Sequence, residues 1–447
     1  MQYISQYCLQ VSPEACKQYF IVEKTEYTKE GIKDNMFENF LWMLLFIILT
    51  VCAGLHFVKK QPKMIWFVIL SELALICRFV ITFVIFSSGT DTTGTDGLIY
   101  HLVAKDVAKQ IKSGIPIWSL EYKFTWYTLL VGIQYAIFGV NRYAAAFTNA
   151  FFSILTGYFL TDIALNLKFS YKKSSFIGIA YVLMPSMMVW TADTRKEALT
   201  FLVTVVTWHV TLKLLKEREW PKYKRILNIS LICLLLWVST QLRLYMLFTL
   251  GGGLFVSLLL HYIKTRRKST LVFGCTVFIF CILVVFTTVF VNIENHHALP
   301  KAAEETSDEG IKSEVNSIID IILSKDIPKA INGFLTKPHL EDVPDITDIS
   351  GHNLLIALVQ LEMILWYLCM IIALFGILDT FLRWDPYLLG IIAFMISYTL
   401  INALLSEEVA DTYYRYRAAL VAPVLLFADY RPLVNRIRNI ITRKTLY

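Results

Sequence analysis

The stretch FLWMLLFIILTVCAGLHFV, residues 40–58, contains no Asp, Glu, Lys or Arg and is followed at once by Lys59, Lys60 and Lys63. A helix needs about 20 apolar residues to cross the hydrocarbon core of a bilayer. Short loops rich in lysine and arginine stay on the cytoplasmic side. The stretch therefore predicts a membrane-spanning helix that starts on the non-cytoplasmic side and ends at the cytoplasm.

Similar apolar stretches recur along the whole chain, and basic clusters fall in alternate gaps between them. This pattern predicts an all-α polytopic membrane protein with about eleven transmembrane helices, with its N-terminus outside and its C-terminus in the cytoplasm of a bacterial inner membrane. The predicted spans are residues 40–58, 64–87, 143–166, 174–192, 198–214, 226–242, 244–262, 269–292, 354–378, 386–404 and 415–430. The basic clusters that set the orientation lie within residues 59–63, 168–173, 213–225, 264–268 and 431–444.

The composition excludes an ordinary soluble protein, because 56% of the residues are hydrophobic and the mean hydropathy is +0.56. The net charge of +7 does not indicate nucleic-acid binding, since the basic residues lie beside predicted spans, where anionic lipid headgroups account for them. Cys8 and Cys16 share a polar N-terminal tail and are able to form a disulfide if that tail is external. The first twenty residues lack the pattern of a signal peptide.

Residues 124–140, FTWYTLLVGIQYAIFGV, are hydrophobic enough to form a further span. Counting them as a span would place every later basic cluster outside the cell, against the charge rule. We therefore interpret this stretch as a helix that lies in or dips into the outer leaflet.

The chain then divides into an external tail (residues 1–39), a transmembrane domain (residues 40–430) and a basic cytoplasmic tail (residues 431–447). Two external loops of the domain are long, residues 88–142 and residues 293–353. In the first, residues 97–112 carry Ile99, Val103, Val107 and Ile111 at helical spacing, which predicts an amphipathic helix on the membrane surface. In the second, residues 314–335 predict another interfacial helix, broken at Pro328.

The first long loop contains three candidate functional residues. Asp91 and Asp96 follow a predicted span, and Asp96 directly precedes the amphipathic helix. The carboxylate of Asp96 suits the N-cap of that helix, and it equally suits a general base or a cation ligand at the outer face. Lys123 marks the membrane interface by snorkelling, or binds a phosphate at headgroup depth.

The short turn MVWTADTRKEAL holds Asp193, Arg195, Lys196 and Glu197 and is predicted to be external. Asp193 and Glu197 are four residues apart, so both carboxylates would share one face if the turn were helical. Such a turn is either merely solvated or a charge-tuned site in which acids and cations lie together.

Two later external turns are rich in arginine and tyrosine. The first places Arg243 and Tyr245 between two predicted spans, where Arg243 either snorkels or binds an anion. The second contains Tyr414, Arg415 and Arg417. Arginine suits bidentate phosphate binding, although an aromatic belt with snorkelling arginines is the simpler alternative.

Two ionisable residues fall inside predicted spans, Arg78 and Glu362, and buried charges in a membrane are usually paired or functional. We expect them to pair with each other. Gly251, Gly252 and Gly253 are predicted to let two helices approach closely, not to bind phosphate.

The order of these features resembles the GT-C superfamily of membrane glycosyltransferases, which includes protein O-mannosyltransferases and aminoarabinose transferases. Asp96 and Tyr100 match the acidic residue and tyrosine that open the family's first external loop. Lys123 and the later Phe138-Gly139 match its end, although Phe124 and Thr125 stand where relatives have prolines. The Tyr-Arg-Tyr-Arg segment before Pro423 is similar to members that assemble polysaccharides.

This resemblance implies transfer of a sugar from a polyprenyl-phosphate donor to a glycan, lipid or protein acceptor of the cell envelope, on the outer membrane face. Asp96 would be the general base of an inverting displacement, with Asp193 or Glu197 orienting the acceptor or supporting a divalent cation. No cofactor is firmly implied. The cations expected at the donor phosphate are Lys123, Arg243, Arg415 and Arg417, and all these groups are expected to converge in one outer pocket.

Three other functions fit the same pattern. A polymerase or ligase of lipid-linked polysaccharide units would also need external arginines. A flippase or transporter would show two similar halves with polar sites at the membrane midplane, and the sequence shows neither. A structural subunit of an envelope complex would tolerate substitution of the charged turns.

Overall fold

The computed structural model describes residues 36–87, 96–120, 126–216, 221–297, 326–337, 352–405, 410–429 and 434. Across these residues the chain is almost entirely helical and contains no strand, which confirms the predicted all-α fold. In chain order the helices are α1 Met36–Lys60, α2 Ile65–Ser87, α3 Asp96–Lys112, α4 Trp126–Phe138, α5 Arg142–Asn166, α6 Tyr171–Leu183, α7 Pro185–Trp190, α8 Glu197–Lys216, α9 Lys222–Leu242, α10 Tyr245–Thr265, α11 Lys268–His297, α12 Ile327–Thr336, α13 His352–Arg383, α14 Pro386–Leu405, α15 Ala410–Arg417 and α16 Val421–Phe427.

Eight helices of the described part are long and apolar enough to cross a membrane: α1, α2, α5, α8, α9, α10, α13 and α14. Each contains one of the predicted spans, or all but its first residue, so the chain is an integral multi-pass membrane protein. Each contains a stretch of 18 residues with at most two Asp, Glu, Lys or Arg, which is why composition alone located them. The predicted span at residues 269–292 lies within the single helix α11.

Two other predicted spans are not continuous helices. The span predicted at residues 174–192 is divided into α6 and α7 at Met184-Pro185, where Met184 is extended (φ −60°, ψ 127°). Proline lacks a backbone N–H and disfavours a helical residue before it, so the helix ends and restarts there. The span predicted at residues 415–430 is interrupted by a 3₁₀ turn at Ala418–Leu420 and its last helix ends at Phe427.

The stretch that we interpreted as an interfacial segment forms α4, a helix of 13 residues. At 1.5 Å per residue this helix is about 20 Å long, shorter than the hydrocarbon core of about 30 Å. Its length therefore agrees with a helix that does not cross the bilayer.

The helix predicted in the first long loop is confirmed as α3. Three of the four apolar residues that we predicted to face the membrane are not buried within the protein. Ile99, Val103 and Ile111 are only half-buried. The buried residues instead follow a stripe that contains small side chains, and Val107 packs against the Cα of Gly132 in α4. Small residues let α3 approach its neighbours closely, so size and not hydropathy selected the face. The buried residues of α3 are Gly97, Tyr100, His101, Ala104, Val107 and Ala108.

Pro328 begins a helix where we predicted that it would break one. It occupies the first turn of α12, and the side chain of Asp326 accepts a hydrogen bond from the N–H of Lys329. A proline is tolerated there because the first N–H groups of a helix have no partner within the helix. Residues 314–325 of the predicted helix lie outside the described part.

The chain divides into two compact units, which we describe separately. The first consists of residues 1–124, 128–154 and 188–195, and the second of residues 125–127, 155–187 and 196–447. In the first unit, the buried guanidinium of Arg78 donates to the hydroxyls of Thr191 and Ser153, both at 3.1 Å, and to a carbonyl of its own helix. This buried cation thereby joins α2, α5 and the residues after α7.

Within the second unit, α10 and α14 pack closely against each other. A Cβ placed on Gly253 would lie 2.8 Å from the carbonyl oxygen of Gly390, and a Cβ on Gly390 would collide with Ser257. The two backbones touch because neither position carries a side chain. The prediction that Gly251, Gly252 and Gly253 serve close packing therefore holds for Gly253 and for Gly251, where a Cβ would lie 3.0 Å from Sγ of Cys281, but not for Gly252, where a Cβ meets nothing within 4 Å.

Candidate functional site

The first buried charge cluster is centred on Asp193, whose side chain is fully buried. One carboxylate oxygen accepts from Arg142 at 3.1 Å, and the other accepts from Arg195 at 3.2 Å. One negative and two positive charges give this cluster a formal charge of +1. We call Asp193, Arg142 and Arg195 the Asp193 cluster.

A second hydrogen-bond layer shapes the turn that carries Asp193. The amide of Asn149 donates to the carbonyls of Asp193 and Arg195, both at 2.7 Å, and the N–H of Thr194 bonds the Asp193 carboxylate at 2.6 Å. These bonds occupy backbone groups that a non-helical turn leaves unpaired in an apolar surrounding. Asn149 therefore fixes the turn.

The N-terminus of α3 packs directly on this carboxylate. A Cβ added to Gly97 would overlap the side chain of Asp193, so only glycine fits there. A helix N-terminus carries partial positive charge and favours a nearby anion. The structure thus brings Asp193 beside the start of the helix that begins at Asp96. The side chain of Asp96 is outside the described set.

The second charge cluster is centred on Glu197, the first residue of α8, whose side chain is 1% exposed. Oε1 accepts from Nη2 of Arg243 at 2.8 Å and from the guanidinium of Arg415 at 2.6 Å. The arginine side chains are 7% and 14% exposed. We call Glu197, Arg243 and Arg415 the Glu197 cluster. Its formal charge is also +1.

Tyrosines surround the Glu197 cluster. The guanidinium of Arg243 stacks 4.5 Å from the ring centre of Tyr416 and donates to the hydroxyl of Tyr245. Burial lowers the pKa of Arg243, but Tyr245 and Glu197 beside it more than offset that effect, so this pKa lies well above its ordinary value. Arg243 therefore remains a cation, and aromatic faces bound the charged region.

Tyr414 and Arg417 have partners outside the Glu197 cluster. The hydroxyl of Tyr414 donates to Glu362 at 2.6 Å. Arg417 is 2% exposed and donates to the carbonyls of Leu335 and Lys337. Both side chains therefore have structural partners.

Asp193 and Glu197 do not share a helical face. Residues 191–196 form a non-helical turn and α8 begins only at Glu197, so the condition for that prediction is not met. Lys196, between them, is half-buried, and its carbonyl accepts from the N–H of Thr200. Although they are only four residues apart, Asp193 and Glu197 therefore bind two different pairs of arginines.

The expected pairing of Arg78 with Glu362 is wrong. The guanidinium of Arg78 binds hydroxyls within the first unit, as described above. Glu362 accepts from the hydroxyl of Tyr414 and from the backbone N–H of Ser186, in the first turn of α7. A carboxylate thus satisfies the backbone where the proline breaks the helix, which apolar surroundings require.

Sequence reasoning missed Arg142, Asn149 and His101. Arg142 begins a long apolar helix, which is a signal that could have identified it. His101 hydrogen-bonds the hydroxyl of Tyr135 at 2.8 Å, and burial together with the charges of Arg142 and Lys105 lowers its pKa to about 3. His101 is therefore neutral at physiological pH.

Three further predicted site residues belong to the first long loop. Asp91 and Lys123 lie outside the described residues, and Tyr100 is buried in α3. The expectation that every candidate converges in one outer pocket stays a prediction. Among the described residues, no three His, Cys, Asp or Glu side chains come together as a metal site.

Comparison of the chain with models of known protein families, with curated proteins and with solved structures finds no match.

Proposed function

We propose that this protein is a membrane glycosyltransferase that transfers a sugar from a polyprenyl-phosphate donor to an acceptor of the cell envelope. The observation that carries the proposal is the Glu197 cluster, in which one buried carboxylate binds two arginines beside tyrosines. A polyprenyl phosphate is an anionic leaving group, and preorganised guanidinium groups stabilise the charge that develops on it.

Arg243 and Arg415 bind the donor phosphate in this proposal. Arg415 is the more exposed of the two, and its link to Glu197 sets the direction of its guanidinium. Tyr245 and Tyr416 provide aromatic surfaces that suit the face of a sugar ring. Glu197 is then a positioning residue and not a base, because both arginines bind its Oε1 and hold the carboxylate in its charged form.

The general base of the proposal is Asp96, at the start of α3. Support for this role comes from the resemblance of Asp96 and Tyr100 to the opening of the first external loop in the GT-C superfamily. The start of α3 also contacts a buried carboxylate, that of Asp193, at Gly97. The base accepts the proton of the acceptor hydroxyl while that oxygen attacks the anomeric carbon and the phosphate leaves, which inverts the configuration.

The topology that goes with this function has eleven crossings, with the N-terminus outside and the C-terminus in the cytoplasm of a bacterial inner membrane. It counts α6 with α7, and α15 with α16, as broken crossings, and it counts α11 as a crossing. Reporter fusions after residues 216 and 243 test it, since they are expected to report the cytoplasm and the outside respectively. The opposite result would remove the site from the outer face.

Transfer is tested with the purified protein in nanodiscs and a panel of radiolabelled polyprenyl-phosphate sugars. We expect one donor to lose its label with Asp96 intact, and Asp96→Asn to abolish the loss while the protein stays folded. Arg415→Gln is expected to lower kcat/KM by about 100-fold or more, as for the removal of a transition-state donor. Arg383→Gln, which breaks a half-exposed ion pair with Asp379, is the matched control.

Two results would contradict the proposal. If the folded wild-type protein consumes no donor of the panel, or if Asp96→Asn remains active, sugar transfer by this mechanism is wrong. Consumption restricted to donors that carry an oligosaccharide would instead indicate a polymerase or ligase of lipid-linked repeat units.

A further inference from the structure

The short helix α15 holds two sets of partners on different faces. Arg415 and Tyr416 belong to the region of the Glu197 cluster. Tyr414 and Arg417 are three residues apart, so they share the other face of the helix. They contact Glu362 and the end of α12. The same short helix therefore connects the Glu197 cluster with Glu362 and the end of α12.

The end of α12 is held by three side chains that donate to its last carbonyls. Arg417 binds the carbonyls of Leu335 and Lys337, Nε1 of Trp366 binds the carbonyl of Leu335 at 2.9 Å, and the hydroxyl of Tyr367 binds the carbonyl of Thr336. The last carbonyls of a helix have no partner within it, and its C-terminus attracts cations. Arg417, Trp366 and Tyr367 thus form a specific docking site for the end of α12.

At this docking site one face of α12 is also buried. Ala330 is 1% exposed and Phe334 is fully buried, whereas Pro328 and Lys329 on the first turn are exposed. The guanidinium of Arg417 lies 5.1 Å from the ring centre of Trp366. The C-terminal half of this loop helix is consequently docked. Of the three side chains that form its docking site, Arg417 is charged and belongs to α15.

We propose that Arg417 is a positioning residue for Arg415, which it aligns by locking α15 onto the docked helix α12. The role that Arg415 then performs rests on the proposed function. Docking of α12 and binding of an anionic donor at Arg415 are linked, and such linkage is reciprocal. The second long loop thereby influences the affinity of the site.

The linkage is measured on the full chain in nanodiscs by hydrogen–deuterium exchange of residues 329–337, without any ligand. Glu197→Gln weakens the hold on Arg415 at the far face of α15. We expect the amides of α12 to exchange faster by about fivefold, a size typical of energetic coupling between sites. Arg415→Gln removes the same link from its other end and is the second variant if Glu197→Gln does not fold.

The matched control is Asp162→Asn. It removes a carboxylate from another polar group of the same unit, the contact of Asp162 with His209 at 2.6 Å, and is expected to leave the exchange of α12 unchanged. If a folded Glu197→Gln or Arg415→Gln protein shows wild-type exchange in α12, the positioning role of Arg417 is wrong. Equal acceleration in the control would indicate general loosening and would also overturn it.

Conservative rescue tests the role of Arg417 itself. Arg417→Gln is expected to raise the Kd for nanodisc-embedded undecaprenyl phosphate by about tenfold, and Arg417→Lys by less, because lysine still donates to the carbonyls. Unchanged Kd in Arg417→Gln with exposed α12 would contradict the proposal. The exchange result does not depend on sugar transfer, so a failure of the proposed function leaves it interpretable.

Discussion

The Asp193 cluster and the Glu197 cluster each combine one buried carboxylate with two arginines, but they are assembled differently. Asp193 receives Arg195 from two residues away and Arg142 from 51 residues away, and the start of α3 packs against it. Glu197 receives Arg243 and Arg415 from 46 and 218 residues away. The first cluster clamps the backbone of the turn that carries it, through Asn149 and the N–H of Thr194, whereas in the second a single carboxylate oxygen binds both arginines.

The comparison teaches that equal charge does not mean equal role. A clamp on the backbone of a turn contributes to stability. A cluster that joins distant helices senses their arrangement and offers a guanidinium to an anion. The following variants are expected to separate these roles.

Asp193→Asn has the largest expected effect. It leaves the buried arginine Arg195 without its anion, and breaking a buried ion pair costs about 3–5 kcal/mol. The free energy of unfolding in detergent measures the loss. Asp106→Asn, at an ion pair whose side chains are 69% exposed, is the control and is expected to change stability by less than about 0.5 kcal/mol. Equal stability of the two variants would end the interpretation as a clamp.

Gly97→Ala tests the close contact between α3 and the same carboxylate. The added methyl group must displace Asp193 or the helix, and overpacking of this kind costs up to about 3 kcal/mol. Thermal unfolding monitors the change. Gly252→Ala is the control because a Cβ there meets nothing within 4 Å. A stable Gly97→Ala protein would show that the helix start is not constrained.

Acid is expected to destabilise the first unit through His101. Its folded pKa, about 3, lies below the ordinary value of about 6.5, so its contribution to stability is complete above pH 6.5 and is lost as the pH falls toward 3. At pH 5 the loss is about 2 kcal/mol. Unfolding is measured between pH 7 and pH 5, and His101→Gln should flatten the profile. An unchanged slope in that variant would contradict the assignment.

Tyr398→Phe has the smallest expected effect. It removes the hydroxyl that donates to the carbonyl of Tyr416 at 3.1 Å and so loosens the Glu197 side without touching a charge. The expected cost is about 1 kcal/mol of stability. If the proposed function is right, KM for the donor also rises. A change in stability with an unaltered KM would separate the tyrosine contact from the site.

Most of the fold could be predicted because long uncharged stretches identify membrane helices directly. The failures have local causes. Pro185 breaks a stretch that hydropathy treats as one span, and Pro328 starts a helix that we expected it to break. In α3 the small residue Ala104 lies on the buried face, a preference that an apolar count does not reveal.

The residues of the candidate site could be predicted from the sequence, but not which carboxylate pairs with which arginine. Charged turns between apolar stretches drew attention to Asp193, Glu197, Arg243 and Arg415. Which carboxylate meets which arginine depends on tertiary packing, and no spacing rule links residues 218 positions apart. Arg417 shows the same limit, because its partners are backbone carbonyls that no sequence motif announces.

The bare contact of Gly253 with Gly390 has a mechanical consequence for the second unit. Neither glycine has a side chain that could absorb a displacement between the backbones of α10 and α14. Ser257 packs at the same helix crossing. We expect the two helices to move together. Any rearrangement that admits a bulky lipid must bend the chain at other places, such as the 3₁₀ turn at Ala418–Leu420.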